Sequence, residues 1–299
     1  MTTQLGISSY AHKVMDYLGA LLCKKVKMCE LFGIEFFLNS SVIAIPIILA
    51  FSGGFSWGMV IYVLGIAASI LLHEMGHALG GYIVGNPAKE ISLIACGGYT
   101  IFSRNPGVTA KDAFMSLAGP MTNGLICSLI IWIEITLWGG TFGEWAHLLL
   151  SQVLGKDLST DELPLSFVMM NAIAIVNAYM LVFNLLPAFP LDGGRIFRWF
   201  SGCFMSSQKA AFTTMLVARL LACLIVGRSI MMDLIVEFNP FNLGIMALIA
   251  VWIWWGSKTE LWRTKLYCAA EAGSSAAIAE IRRLFDEDVE PVIHRRRWR

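Results

Sequence analysis

The chain has 299 residues, of which 57% are hydrophobic and only 14% charged, and its net charge is +1. Ordinary soluble domains carry roughly 25% charged residues, so most of this length is excluded from that class. Without a global basic surface, nucleic acid is excluded as a general partner.

Residues 1–33 mix Lys with Leu, Met and Phe, a pattern that predicts a helix lying at the membrane interface. No short apolar core with a small-residue cleavage site follows Met1, so an uncleaved anchor is expected instead of a signal peptide. A helix needs about 20 mostly apolar residues to cross the hydrocarbon core. Six runs qualify: 34–52, 57–85, 110–138, 165–187, 209–232 and 240–257. Between the second and third runs, residues 89–103 read as β-structure broken at Gly97-Gly98. Non-helical backbone near membrane depth is tolerated only against protein or a wet cavity, so this piece is expected to border a site. The tail, 258–299, reads as soluble, with one short helix carrying Ile278, Ile281, Leu284 and Phe285 on one face. The seven cysteines are scattered without a close C-x-x-C pair, which favours buried apolar side chains over disulfides or a cysteine zinc site. The expected fold is thus an all-α polytopic membrane protein of about six transmembrane helices with a short membrane-associated β-hairpin. A membrane domain over 34–257 follows an N-terminal interfacial segment and precedes the tail.

Lys13, Lys24, Lys25 and Lys27 precede the first run, Lys89, Arg104 and Lys111 follow the second, and Arg195, Arg198 and Lys209 follow the fourth. The alternate connections hold Glu144, Asp157, Asp161 and Glu162, then Asp233 and Glu237. The positive-inside rule accordingly places both termini in the cytoplasm of a multi-pass cell-membrane protein. Arg219 falls near the middle of the fifth run and should face protein, pairing with a carboxylate or carbonyls or lining a substrate entrance. Arg228 should snorkel to the interface. Trp252, Trp254 and Trp255 read as an interfacial belt, and the 295–299 cluster as lipid-binding or solvated tail.

The second run contains His73-Glu74-Met75-Gly76-His77. Residues four apart share a helix face, so two imidazoles can reach one ion while Glu74 takes a proton from its water. Three ionisable residues within five positions of an apolar run are costly unless something satisfies them. A proton relay or packed polar cluster in a transporter would also satisfy them. Catalytic zinc needs a third protein ligand and an open fourth position. Asp192, in Asn184-Leu-Leu-Pro-Ala-Phe-Pro-Leu-Asp192-Gly-Gly-Arg195, is the candidate. Pro187 and Pro190 end the fourth run there, and Gly193-Gly194 permits a turn.

The pairing of His73-Glu-Met-Gly-His77 with Asn184-x-x-Pro-x-x-x-Leu-Asp192-Gly-Gly resembles the site-2 protease family of intramembrane metalloproteases. Gly97-Gly98 and Ala118-Gly-Pro-Met-Thr-Asn123 also match that family's pattern, and the resemblance covers residues 34–205. It implies a three-helix catalytic core within about 57–205, one zinc ion, and cleavage of a transmembrane segment in a single-span protein such as an anti-sigma factor or sigma factor precursor. It further implies that Asn184 and Asn123 contact substrate or stabilise the oxyanion, helix–helix hydrogen bonding being the alternative. The Gly97-Gly98 segment would either capture an unwound substrate as an extended strand or serve as a plain structural hairpin. Connections this short leave no room for the PDZ insertion of many relatives, nor the tail for their CBS pair. An ion or proton transporter and an inactive scaffold are the rival classes.

Overall fold

The computed structural model describes residues 24–43, 57–94, 97–104, 108–139, 141, 143–144, 165–235 and 240–285. They divide into two compact units, one built from 1–106 with 118–182 and the other from 107–117 with 183–299.

The first unit opens with strands β1 (Lys25–Leu31) and β2 (Ile34–Asn39), followed by a short 3-10 turn over Ser40–Ile43. Phe32 and Gly33 both have positive φ, 55° and 75°, the backbone that a two-residue hairpin loop requires. Helix α1 spans Trp57–Ile83, strands β3 and β4 span Ala88–Ile94 and Gly97–Phe102, and helices α2 (Ala110–Trp138) and α3 (Leu165–Asn184) follow. The sheet order is β1-β2-β3-β4, with antiparallel pairs at both ends and a parallel β2–β3 pair between them. One sheet face lies on α1, where Ile34, Phe36, Ala88, Ile91 and Phe102 pack with Leu71 and Ala78. On the same sheet Lys25 pairs with Glu90 at 2.5 Å. Burial alone would raise the Glu90 carboxyl, yet hydrogen bonds from Lys25 and Ser92 hold it below its ordinary value.

Within this unit α1 meets α2 through small residues. A Cβ at Gly76 would lie 2.8 Å from the Ala118 carbonyl oxygen, the close approach that helices use in lipid. Farther along, Ile131 of α2 packs against Ala174 of α3. Hydroxyls along these helices are satisfied at home: Ser69, Thr122, Ser128 and Thr136 each donate to the carbonyl four residues earlier, which removes the cost of an orphan polar group in an apolar medium.

In the second unit, helix α4 (Asp192–Gly202) is followed by α5 (Ser207–Ile235), α6 (Pro240–Glu271) and α7 (Ser275–Phe285). Ala188 and Leu191 from the turn before α4 pack with Ala218, Ala222, Ala250 and Ile253 of α5 and α6. An ion pair from Arg198 to Glu260 joins α4 to α6. Arg219 stacks its guanidinium 4.5 Å from the centroid of the Trp254 ring, so an aromatic face is its partner among the described residues.

Four helices are long and apolar enough to cross a membrane among the described residues, over Val60–Ile83, Ala110–Trp138, Ser166–Asn184 and Ser207–Met231. At 24 residues the first is about 36 Å long, which exceeds the roughly 30 Å of hydrocarbon. The run at 34–52 is corrected. Its first six residues form β2, and the rest beyond Ile43 lies outside the described residues. A short apolar run does not distinguish strand from helix, and Phe36-Phe37 beside a polar Asn39-Ser40-Ser41 stop suits a strand. The interfacial helix expected over 1–33 is corrected likewise: Lys25–Leu31 is a strand paired to β2, and 1–23 lie outside the described residues. The run at 240–257 is the first part of α6, which continues through to Glu271 without a break. The predicted tail helix is α7. The 295–299 cluster, and Asp157, Asp161, Glu162 and Glu237 of the connections, lie outside the described residues.

Candidate metal centre

Helix α1 presents His73 and His77 one turn apart, 4% and 8% exposed, with Glu74 at 6% beside them. Their Nε2 atoms are 3.1 Å apart and the rings stand edge to face at 89°. Two metal–nitrogen bonds of about 2.0–2.1 Å meeting at a tetrahedral angle separate their nitrogens by about 3.3 Å. The imidazole pair therefore suits a single divalent ion.

The space beside these nitrogens is kept open by a glycine. A Cβ at Gly119 of α2 would lie 2.9 Å from His73 Nε2 and closer still to His77 Nε2 and Cε1. No side chain larger than hydrogen fits there without displacing an imidazole, which is the fit expected of a cradle for a ligand atom or ion. Pro120, buried in the next position, has no N–H to give the helix ladder.

His73 is held from behind. Its Nδ1–H donates to Asn123 Oδ1 at 2.5 Å, which leaves the Nε2 lone pair for a metal, the usual outer support of a ligating histidine. Asn123 Nδ2 in turn donates to Asn177 Oδ1 at 2.8 Å and approaches Met180 Sδ at 3.8 Å. The described contacts of Asn123 are thus those of a helix–helix link and a histidine support.

Strand β4 covers the glutamate. Thr100 Oγ1 donates to Glu74 Oε2 at 2.7 Å. At Gly98 a Cβ would meet Glu74 Cγ at 2.7 Å, and Gly97 adopts φ 139°. The two glycines let the strand start its run directly over the carboxylate. Thr100 is a functional neighbour that sequence reasoning did not single out, because no motif marks it.

Asp192 is the first residue of α4, after Leu191 in extended backbone (φ −69°, ψ 159°). The preceding turn is closed by Ala188 N–H to Leu186 O at 2.7 Å and Leu191 N–H to Ala188 O at 2.9 Å. It folds back so tightly that a Cβ at Gly194 would lie 2.6 Å from the Ala188 carbonyl carbon. On the far side Pro190 Cδ would stand 2.7 Å from a Cβ at Gly256, so α6 seats the turn. A carboxylate at a helix N-terminus is favoured by the macrodipole. Asn184 is the last residue of α3 and is half-buried. The first unit therefore gathers His73, Glu74, His77, Gly97, Gly98 and Asn123, while the second carries Asn184 and Asp192.

The model of peptidase family M50 matches residues 61–227. A putative zinc metalloprotease of Synechocystis is 24% identical over 196 residues, covering 60% of this chain and 45% of that protein. A zinc metalloprotease of Methanocaldococcus jannaschii is 23% identical over 242 residues, 79% of this chain and 60% of its own length. A putative zinc metalloprotease of Mycobacterium tuberculosis is 31% identical over 134 residues, 44% of this chain and 29% of that protein. The chain thus spans between 29% and 60% of the length of these curated relatives. The solved structure of the site-2 protease from Methanocaldococcus jannaschii aligns with a TM-score of 0.48 at 20% identity, covering 80% of this chain and 95% of that one.

Proposed function

Because this chain belongs to peptidase family M50, we propose that it is a zinc metalloendopeptidase that hydrolyses peptide bonds within the membrane. The observation that carries the reading is the His73–His77 pair, with Nε2 atoms 3.1 Å apart on a helix apolar enough to span a bilayer. Relatives named as zinc metalloproteases support the metal assignment, and two imidazoles with a carboxylate suit zinc. His73 and His77 are the first two ligands. Asp192 is the third, on the strength of its motif and of the glycine turn that leaves its carboxylate leading a helix. When bound, zinc supplies a Lewis acid for the scissile carbonyl and acidifies a water toward a pKa of about 7.

The remaining steps fall to the chain's own residues. Glu74 Oε accepts a proton from the attacking water as its oxygen bonds to the carbonyl carbon. Thr100 holds the carboxylate in place by donating to its other oxygen. Glu74 then returns the proton to the leaving amine as the carbon–nitrogen bond breaks. Asn184 lies in the segment before Asp192 and is assigned to substrate contact. β4, a terminal strand of the sheet, is assigned to hold the unwound substrate in extended form from Gly97-Gly98 onward, since a helical peptide bond keeps its carbonyl inside its own ladder. The substrate class is a single-span membrane protein, a membrane-held regulator such as an anti-sigma factor or sigma factor precursor. Both termini of the protease are assigned to the cytoplasm.

The test is cleavage of candidate single-span proteins by purified protein in lipid vesicles, with and without 1,10-phenanthroline. Cleavage that stops with the chelator and returns with zinc, and is absent in Glu74→Gln, is expected. Cleavage indifferent to both would overturn the proposal.

A further inference from the structure

The polar residues behind His73 form a single directed chain. Ser69 Oγ donates to the Gly65 carbonyl at 2.8 Å. Asn177 Nδ2 donates to Ser69 Oγ at 2.9 Å and to the Ile173 carbonyl at 2.9 Å. Asn177 Oδ1 accepts from Asn123 Nδ2 at 2.8 Å, and Asn123 Oδ1 accepts from His73 Nδ1 at 2.5 Å. Asn123 and Asn177 are 0% exposed and Ser69 is 3% exposed.

The direction of every donor in this chain is fixed from one end. A backbone carbonyl has no hydrogen to give, so Asn177 must turn its amide nitrogen toward Ile173 O. Its oxygen is thereby committed to Asn123, which must answer with its own nitrogen. That leaves Asn123 Oδ1 facing His73, and an oxygen there accepts only from a protonated Nδ1. The Nε2 lone pair of His73 follows, on the side where His77 Nε2 stands. An Asn123 amide free to turn over would present an N–H to Nδ1 and favour the wrong tautomer for ligation through Nε2.

We propose that Asn177 is a positioning residue of the metal centre: through Asn123 it relays the polarity of the Ile173 carbonyl to His73 and so fixes which imidazole nitrogen is available to zinc. Nothing in the zinc metalloprotease motif marks Asn177, which lies on a different helix from either histidine. The inference rests on the metal reading above.

It is tested by the zinc affinity of the full chain in detergent, measured by competition with a chromophoric chelator, alongside metal-free thermal unfolding. Asn177→Leu and Asn123→Leu should each weaken zinc binding by about 10- to 100-fold. The double variant should bind no more weakly than Asn123→Leu alone, because both act through one path. Asn123→Asp, which keeps an acceptor for Nδ1–H but gives up the donor to Asn177, should bind zinc more tightly than Asn123→Leu. Should Asn177→Leu fail to fold, the smaller Asn177→Ala removes the same acceptor from Asn123 and should show the same loss. Cys127→Ala serves as a packing control, since Cys127 also links α2 to α3 through the Ala174 carbonyl; it should leave zinc affinity unchanged. Wild-type affinity in Asn177→Leu, losses that add in the double variant, or equal weakening in Cys127→Ala would overturn the proposal while leaving the metalloprotease reading intact. A wild-type protein that holds no zinc would overturn both.

Discussion

Replacing Gly119 by Ala is the sharpest perturbation the structure offers, because it adds one methyl group and no charge. That methyl would sit 2.9 Å from His73 Nε2 and nearer to His77, whereas a carbon and a nitrogen in ordinary contact stand at about 3.5 Å. One or both rings must retreat by about half an ångström or more. Ligand distances in zinc sites tolerate only about 0.2 Å, so the pair would lose its ligating geometry. Overpacking of this kind costs about 1–3 kcal/mol, which corresponds to about a 5- to 150-fold weaker zinc affinity. The assay is chelator competition on wild type and Gly119→Ala, with metal-free thermal unfolding measured in parallel to separate site loss from collapse of the α1–α2 contact. Zinc affinity and cleavage rate equal to wild type in a folded Gly119→Ala protein would refute the assignment of this space to the metal.

Further outcomes follow from neighbouring residues. Glu74→Gln should retain zinc and lose about 10²- to 10⁴-fold in cleavage rate, while Asp192→Ala should lose both, read from metal content and turnover together. Thr100→Val should lower kcat by about 10- to 150-fold at unchanged zinc content, with Thr100→Ser restoring it, since removing one hydrogen bond to a charged group costs about 1.5–3 kcal/mol. The Lys25–Glu90 link makes the outer sheet sensitive to pH. Glu90 is held below its ordinary carboxyl value despite burial, so its contribution is present above about pH 4.5 and is lost as pH falls through the lowered folded value. Lys25 is raised despite burial by its hydrogen bonds to Glu90 and Tyr99, so its share is present below about pH 10.5 and is lost as pH rises beyond that. Hydrogen exchange of β1 amides should quicken at both extremes, and Glu90→Gln should remove the acid limb.

Much of the centre was legible because short-range geometry dictates it. Four-residue spacing on a helix forces His73 and His77 onto one face, and proline with paired glycines forces a turn before α4. Gly97-Gly98 amid Ile, Leu, Tyr and Thr likewise announced the hairpin over the site. The strand at Ile34–Asn39 escaped notice because an apolar run reads equally as helix or strand, although its antiparallel partner β1 is adjacent in the chain and only its parallel partner β3 lies some fifty residues away across α1. Asn177 and Thr100 were illegible for a related reason. Each matters only through a contact with a distant residue, Asn123 and Glu74 respectively, and local pattern carries no trace of such a contact.

X-ray absorption at the zinc edge of the purified, zinc-loaded protein tests the central claim most directly. One zinc per chain is expected, with two imidazole nitrogens at about 2.0–2.1 Å, a carboxylate oxygen at about 2.0–2.2 Å and no sulfur. Asp192→Ala and His73→Ala should each abolish binding. A sulfur shell at about 2.3 Å, or a spectrum unchanged in His73→Ala, would contradict the claim.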